Sequence, residues 1–285
     1  MAPDGDRNFI TSLKNPKIKE ALELYEKSKE RRARHLFVVE GVREVLDCIN
    51  AGYGLRTVFY CPKIISEKNF NEIKKYAIDE ICFEVTEDVY AKLAYRAGTE
   101  GIAAIVKEKK KRLEDINLQV KCDEKGNYQP LILVVESVEK PGNLGALLRT
   151  ADACGADGVL ICDELTDLYN PNLIRASLGG VFTQNIICCT NEEAYKWLKE
   201  NNIVIYTAQL QDSKLYYNTD MRRGCAIVMG NEAKGLTDFW RKAASEKIMI
   251  PMLGKLDSLN VSVSAAILCY EALRQRSSSD INKNK

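Results

Sequence analysis

The sequence predicts an α/β protein in two parts: a small mixed unit over residues 1–106 and a larger unit over residues 130–276, built on a parallel sheet. Three observations predict it. The chain has 285 residues, more than one core usually needs, so a boundary is expected. From Pro130 onward short apolar runs alternate with helical patterns, as in a parallel sheet covered on both faces. Between the two parts, Lys107 to Gln129 is polar, charged and weakly periodic, the texture of a linker.

In the N-terminal part, Pro16 to Lys29 carries Ile18, Leu22 and Tyr25 at helical spacing. Leu36-Phe37-Val38-Val39 reads as a short strand. Gly41 to Ala51 follows as a helix striped by Val42, Val45, Leu46 and Ile49 and stopped by Gly52. Thr57 to Cys61 and Ile102 to Val106 are further strands. In the C-terminal part the expected strands are Leu131–Glu136, Gly158–Cys162, Ile186–Cys189, Val204–Ala208, Ala226–Met229 and Lys247–Ile250. Helices are expected near Leu144–Cys154, Asn172–Ser177, Glu192–Glu200, Thr237–Ala244 and Val261–Arg276. The polar tail over 277–285 is expected to be disordered. There is no internal repeat.

An apolar fraction of 46% with 28% charged residues is that of a soluble globular protein, and no run is long enough for a membrane helix. The first residues, Met-Ala-Pro-Asp-Gly-Asp-Arg, lack the apolar core of a secretory signal, so a cytoplasmic location is expected. Ten cysteines sit singly inside apolar runs with no Cys-x-x-Cys pair, and His35 is the sole histidine. That distribution suits buried reduced thiols better than disulfides or zinc, and no metal is expected. The net charge of +1 says little as a total. Two basic runs, KSKERRAR over Lys27–Arg34 and KEKKKR over Lys107–Arg112, could bind phosphate or could simply be solvated faces.

A doubly wound sheet binds ligands at the carboxyl ends of its strands, so the loops leaving those strands matter most. The loop after the first is Glu136 to Gly145, followed by Ala146-Leu147-Leu148-Arg149-Thr150-Ala151. It has neither Gly-x-Gly-x-x-Gly nor a Walker lysine, so no nucleotide fingerprint is present. Asn143 suits a helix N-cap. Arg149 lies beside the apolar stripe of Leu144, Leu147, Leu148 and Ala151, either as a surface neighbour or as a guanidinium aimed at an anion. A second segment, Met229-Gly230-Asn231-Glu232-Ala233-Lys234-Gly235-Leu236, sets a carboxylate between two glycines; it could equally be an ordinary helix entry. A third runs from Ile250-Pro251-Met252 to Ser258-Leu259-Asn260-Val261-Ser262, which could be a loop and a capped helix.

In this order and spacing the three segments closely resemble the signature motifs of the SpoU (TrmH) branch of the SPOUT superfamily of RNA methyltransferases. Asn143-Leu144-Gly145-Ala146 with Arg149-Thr150-Ala151 matches the first. Gly230-Asn231-Glu232 with Gly235-Leu236 matches the second, and Ile250-Pro251-Met252 with Ser258 to Ser262 the third. Asn170-Pro171-Asn172 with Arg175-Ala176-Ser177 and Gly179 is also similar to the family. The resemblance covers Leu131 to Arg276. Phe37 to Phe59, with Glu40-Gly41, resembles the family's small substrate-binding domain, related to ribosomal protein L30e. The stretch around Lys121–Tyr128 has no counterpart to which a role attaches.

The resemblance implies a C-terminal SPOUT α/β fold with a deep trefoil knot, an exception to the usual topology rules. It implies S-adenosylmethionine as cofactor, held bent in the knot largely by backbone groups at Gly230, Ile250 and Leu259, with Thr207, Ala208, Met252 and Val261 beside it. It implies methyl transfer to a ribose 2′-hydroxyl of structured RNA, ribosomal RNA ahead of transfer RNA. A base N-methyltransferase on the same fold and a non-enzymatic RNA-binding protein are the alternatives. By the motif match Arg149 acts near the ribose hydroxyl. A guanidinium is a very poor base, so its first role is to grip phosphate and ribose oxygens. Asn143 would orient Arg149 or the ribose. Glu232 would anchor the cluster and be the more ordinary proton acceptor. Ser258 and Asn260 would complete the substrate side. Arg31, Arg32, Arg34 and Arg175 are the expected RNA contacts. A homodimer is expected through the knotted domain, with Leu147, Ile267 and Tyr270 as its apolar face.

Overall fold

The computed structural model describes residues 8–94, 100–118 and 129–276. The chain opens with β1 (Phe9–Ile10) and α1 (Pro16–Glu26). The Asn15 side chain accepts the Lys17 N–H and Pro16 takes the first helical position, so two start signals agree. The helix expected to reach Lys29 instead breaks at Lys27, which is extended (φ −115°, ψ 107°), and restarts as α2 (Ser28–Arg34). Arg31 belongs to this corner. It is 4% exposed, and its Nη1 donates to the carbonyls of Leu24 and Tyr25 at the end of α1.

Next come β2 (Leu36–Glu40), α3 (Val42–Asn50) and β3 (Leu55–Tyr60). Three elements not expected from the pattern follow: α4 (Glu67–Lys74), β4 (Cys82–Val85) and α5 (Glu87–Leu93). Both helices are capped by hydroxyls, Ser66 to the Asn69 N–H and Thr86 to the Val89 N–H. With β5 (Ile102–Lys107) the strands form a sheet in the order β1-β4-β3-β5-β2, in which β5 is antiparallel to both neighbours.

The chain continues through β6 (Leu131–Glu136), α6 (Pro141–Ala153), β7 (Gly158–Cys162), α7 (Pro171–Ser177), α8 (Gly180–Thr183), β8 (Ile186–Cys189), α9 (Asn191–Glu200), β9 (Val204–Ala208), β10 (Lys214–Leu215), β11 (Cys225–Met229), α10 (Asp238–Ala243), β12 (Glu246–Met249) and α11 (Val261–Arg276), and strands β6 to β12 form the second sheet. The seven strands, all parallel, are ordered β10-β12-β9-β11-β6-β7-β8. Since β11 pairs with β6, the loops leaving these two strands emerge side by side at one edge. That adjacency places the first and second motifs together.

Residues up to Lys109, together with Leu168–Thr183, form one compact unit; Lys110–Asp167 with Gln184 onward form the other. The boundary therefore differs from the expected one. The segment carrying α7, α8 and Arg175 belongs to the first unit. Its aromatic rings explain this: Tyr169 stacks on Phe37 (4.0 Å, 11°), and Phe182 meets Tyr53 edge-on at 5.5 Å. Such pairs contribute about 0.5–1.5 kcal/mol each beyond the area they bury. The expected linker also has structure at its start. Lys107 closes β5, and Ile116 packs in the core of the second unit with Ile132, Leu160 and Trp240. The stretch around Lys121–Tyr128, the first seven residues and the tail lie outside the described residues.

No helix of the described residues is long and apolar enough to cross a membrane, and among them no group of three His, Cys, Asp or Glu could hold a metal ion. Seven of the nine described cysteines are buried, but Cys188 is exposed, because it faces outward on β8. Within the basic run Lys27–Arg34 only Arg31 is buried, while Lys27, Lys29, Arg32 and Arg34 are exposed. Besides the buried Arg31, Arg34 pairs with Glu23 and Glu30 at 2.8 Å and with Glu20 at 3.6 Å. Arg31 is therefore corrected as an RNA contact; Arg32, Arg34 and Arg175 remain exposed.

Candidate active site

The helix expected to begin near Leu144 with Asn143 as its cap begins earlier, at Pro141. This puts Asn143 at the third helical position, inside the first turn of α6, where its side chain is free of capping duty. The Asn143 Nδ2 donates to Glu232 Oε1 (2.8 Å), and its Oδ1 accepts from Asn260 Nδ2 (3.0 Å). One residue from each of the three motifs thus meets in a single chain of hydrogen bonds. Asn260 also receives the Ser262 N–H and hydroxyl on its Oδ1, which fixes the start of α11.

Glu232 is held from the backbone as well. The Glu139 N–H donates to Oε2 (3.2 Å) and the Lys140 N–H to Oε1 (3.4 Å). Burial pushes its pKa up, but the Asn143 amide and the backbone donors outweigh this, and the carboxyl ends below its ordinary value. A carboxylate so satisfied is a weaker base than a free one. Its geometry is that of an anchor.

The Gly230–Leu236 loop is pinched by a bridge between Asn231 and Gly235, whose N–H groups each donate to the other's carbonyl. Asn231 locks the pinch: its Nδ2 donates to Ser137 O (2.8 Å), and its Oδ1 accepts the N–H groups of Ala233 and Lys234. A Cβ on Gly230 would lie 2.5 Å from Leu236 N and 2.7 Å from Gly235 O. Glycine is needed there so that the loop can close on itself.

A cavity of about 610 Å³ opens where β9, β11 and β12 end. The sequence-selected residues Asn143, Ala208, Gly230, Glu232, Ile250, Met252, Ser258, Leu259, Asn260 and Val261 all line it. Two selected residues do not. Thr207 is fully buried within β9, with its hydroxyl donating to Gln209 Oε1 at 3.3 Å. Arg149 is exposed, outside the lining, and makes no hydrogen bond or ion pair among the described residues. Six residues separate it from Asn143. That is about 9 Å along the helix and about 240° around it, so the two cannot face one cavity of the same chain.

The sequence reading also missed several lining groups: Lys140, Gln209, Met229, Arg241, Ile248 and Leu268. Met229 and Ile248 stand at the ends of assigned strands and were within reach of the strand-end rule. Arg241 was not. It lies on α10, and its buried Nε has no hydrogen-bond partner.

The donor set suits S-adenosylmethionine. Apolar side chains (Met229, Leu236, Ile250, Leu259, Leu268) and a glycine-lined backbone edge form a dry wall for a purine, while charged and amide groups surround the remainder. The volume also lies within the range of small-molecule sites.

Comparison with known proteins agrees with this geometry. Residues 130–270 match the SpoU rRNA methylase family, and residues 15–104 match the MRM3-like substrate-binding domain. A solved RNA 2′-O ribose methyltransferase is 38% identical, with a TM-score of 0.76, over 94% of this chain and 99% of its own. The AdoMet-bound rRNA methyltransferase of Sinorhizobium meliloti is 28% identical with a TM-score of 0.83, covering 95% and 98%. The 23S rRNA (guanosine(2553)-2′-O)-methyltransferase RlmP of Bacillus subtilis is 27% identical over 92% of this chain and 97% of its own. The chain belongs to the SpoU family of RNA methyltransferases.

Proposed function

We propose that this protein is an S-adenosylmethionine-dependent enzyme that methylates a ribose 2′-hydroxyl in ribosomal RNA, acting in the cytoplasm. The observation that carries the reading is the Glu232–Asn143–Asn260 chain of hydrogen bonds in the cavity lining, one residue from each motif. The 2′-O specificity and the ribosomal substrate are supported by what the relatives are named for.

Bound in the cavity, S-adenosylmethionine would supply a methyl group already activated on a sulfonium. The chain's own residues then have to align the hydroxyl, shield the site and hold the RNA. Gly230, Ile250, Leu259 and Val261 hold the cofactor's apolar part. Glu232, kept ionised by its donors, fixes the Asn143 amide. Asn143 and Asn260 together present amide groups to the ribose, with Ser258 beside them. Arg149 grips the target phosphate and the attacking oxygen.

Since Arg149 turns away from its own cavity, it serves the site of a second copy, and the enzyme works as a homodimer. Leu147, expected on the pairing face, is fully buried and drops out of it. The face that remains is Val263 (47% exposed), Ile267 and Tyr270 (48% exposed) on α11, beside α6 through the Tyr270 hydroxyl on Ala153 O. The family's trefoil knot fits the same region: after β12 pairs with β9, α11 packs on α6 and β11. Arg32, Arg34 and Arg175 contact RNA.

Two experiments test the reading. Incubation with unmodified ribosomal RNA and methyl-labelled cofactor should give label in alkali-resistant linkages; label in bases, or none, would refute it. For the dimer, inactive Arg149→Lys and Asn143→Ala chains should regain activity when mixed, because one combined site then holds both intact residues. No recovery in demonstrably mixed dimers would place Arg149 in its own chain's site.

A further inference from the structure

Three cations line the cavity, Lys140, Lys234 and Arg241, and only Arg241 has a buried nitrogen left without a partner. Its Nε is shielded from solvent by the protein, yet no group among the described residues accepts its proton. The Arg241 side chain makes no ion pair or hydrogen bond among the described residues, although carboxylates are common in the chain. A guanidinium is always charged, and this one lines the cavity with no carboxylate of the described residues paired to it, so the arrangement suits an anion from outside the chain. The position is specific. The guanidinium Nη2 lies 3.9 Å from the point a Cβ on Gly235 would occupy, over the pinched loop that forms one wall of the cavity.

The two carboxylates in the lining are engaged elsewhere: Glu232 with Asn143 and backbone donors, Asp257 with the Ser258 hydroxyl. Neither competes for Arg241. A flat guanidinium offers two parallel N–H groups to a carboxylate, the fork-to-fork geometry that a lysine cannot supply. Of the groups on S-adenosylmethionine, only the α-carboxylate of the amino-acid tail is anionic.

We propose that Arg241 holds the α-carboxylate of the cofactor's amino-acid tail and so distinguishes S-adenosylmethionine from adenosyl compounds that lack it. The proposal rests on the assignment of this cavity to the cofactor. Arg241 is a binding residue, set apart from the Asn143–Glu232–Asn260 cluster, and it selects the ligand rather than the reaction.

The test is calorimetric binding of S-adenosylmethionine and of decarboxylated S-adenosylmethionine, which keeps the sulfonium and the ammonium, to the wild type, Arg241→Gln and Arg241→Lys. The wild type should prefer the carboxylated form by about 10- to 100-fold, the scale of a charge-assisted pair. Arg241→Gln should lose that preference while binding the decarboxylated form as the wild type does. Arg241→Lys should keep part of it. The unchanged affinity for the decarboxylated form doubles as the check that the loop still folds. Equal losses for both ligands would make Arg241 a structural residue and overturn the proposal. An unchanged preference would also overturn it, as would normal cofactor binding accompanied by lost RNA affinity, which would assign the arginine to a phosphate. Failure of the wild type to bind either compound would instead overturn the cofactor assignment itself.

Discussion

Replacing Glu232 with glutamine changes one atom of the side chain and tests how the site is held. In the wild type both carboxylate oxygens accept: Oε1 from Asn143 Nδ2 at 2.8 Å and Lys140 N–H at 3.4 Å, Oε2 from Glu139 N–H at 3.2 Å. A glutamine has one accepting oxygen. If it keeps Asn143, its NH2 must face the Glu139 N–H, donor against donor. Hydrogen bonds to charged groups contribute about 1.5–3 kcal/mol, and partial exposure with two long bonds reduces the expected loss to about 1–2 kcal/mol. For a unit of this size that is a fall in Tm of about 3–6 °C at neutral pH. The pH dependence follows from the lowered carboxyl pKa. A depressed folded value gives stability that is fully present above the unfolded value of about 4.3 and is lost as pH falls through the folded one. The Tm gap between wild type and Glu232→Gln, measured by calorimetry, should therefore be constant from pH 7 to 6 and close progressively below about pH 5. A gap that persists unchanged to pH 3 would show that the charge does not matter, and the anchoring argument would fail.

Other substitutions separate the remaining roles. Arg149→Lys should leave cofactor affinity near wild type and lower single-turnover methylation by about 100-fold, since a point charge cannot align the hydroxyl as a planar fork does. Gly230→Val should weaken cofactor binding by disrupting the loop: its Cβ meets the Gly235–Leu236 backbone rather than the cavity, so Tm should fall with the affinity. Affinity lost at unchanged Tm would place the side chain against the cofactor instead. Arg31→Ala should cost stability, about 1–3 kcal/mol by denaturant titration, because the Leu24 and Tyr25 carbonyls lose their donor. Arg32→Ala should lower the salt slope of RNA binding by about 0.7–0.9, one phosphate contact, and an unchanged slope would remove Arg32 from the RNA face.

The regular part of the fold was legible because parallel strands buried on both faces must be apolar throughout. β6, with the sequence LILVVE, is buried at every position, and such a run reads clearly. The elements between Glu67 and Leu93 were not legible. α4 is short and mostly polar, with Ile73 as its only buried residue, and β4 has only four residues. Neither gives a period long enough to detect. The break at Lys27 depends on a tertiary contact, the Arg31 side chain on two carbonyls, which no local pattern encodes. Nor does local pattern show that the segment with Tyr169 and Phe182 leaves its neighbours in sequence to pack on Phe37 and Tyr53.

At the site, the motif residues were legible as a set, and their roles only in part. Asn143 reads as a helix cap until the helix start is seen at Pro141. Glu232 reads as an anchor, but the backbone N–H groups of Glu139 and Lys140 that hold it show only in the structure. Thr207 was selected beside Ala208, but adjacent residues of a strand point to opposite faces, and the Thr207 side chain turns away from the cavity. Arg241 lies outside every motif, and only the cavity itself points to it.

The central claim is ribose methylation of ribosomal RNA, and mapping 2′-O-methyl groups in the cell's RNA with and without the gene tests it most directly. The account predicts that at least one ribose methyl of ribosomal RNA disappears when the gene is removed. It should return with the wild-type protein but not with Asn143→Ala. An unchanged ribose-methyl map, or the loss of a base methyl alone, would contradict it.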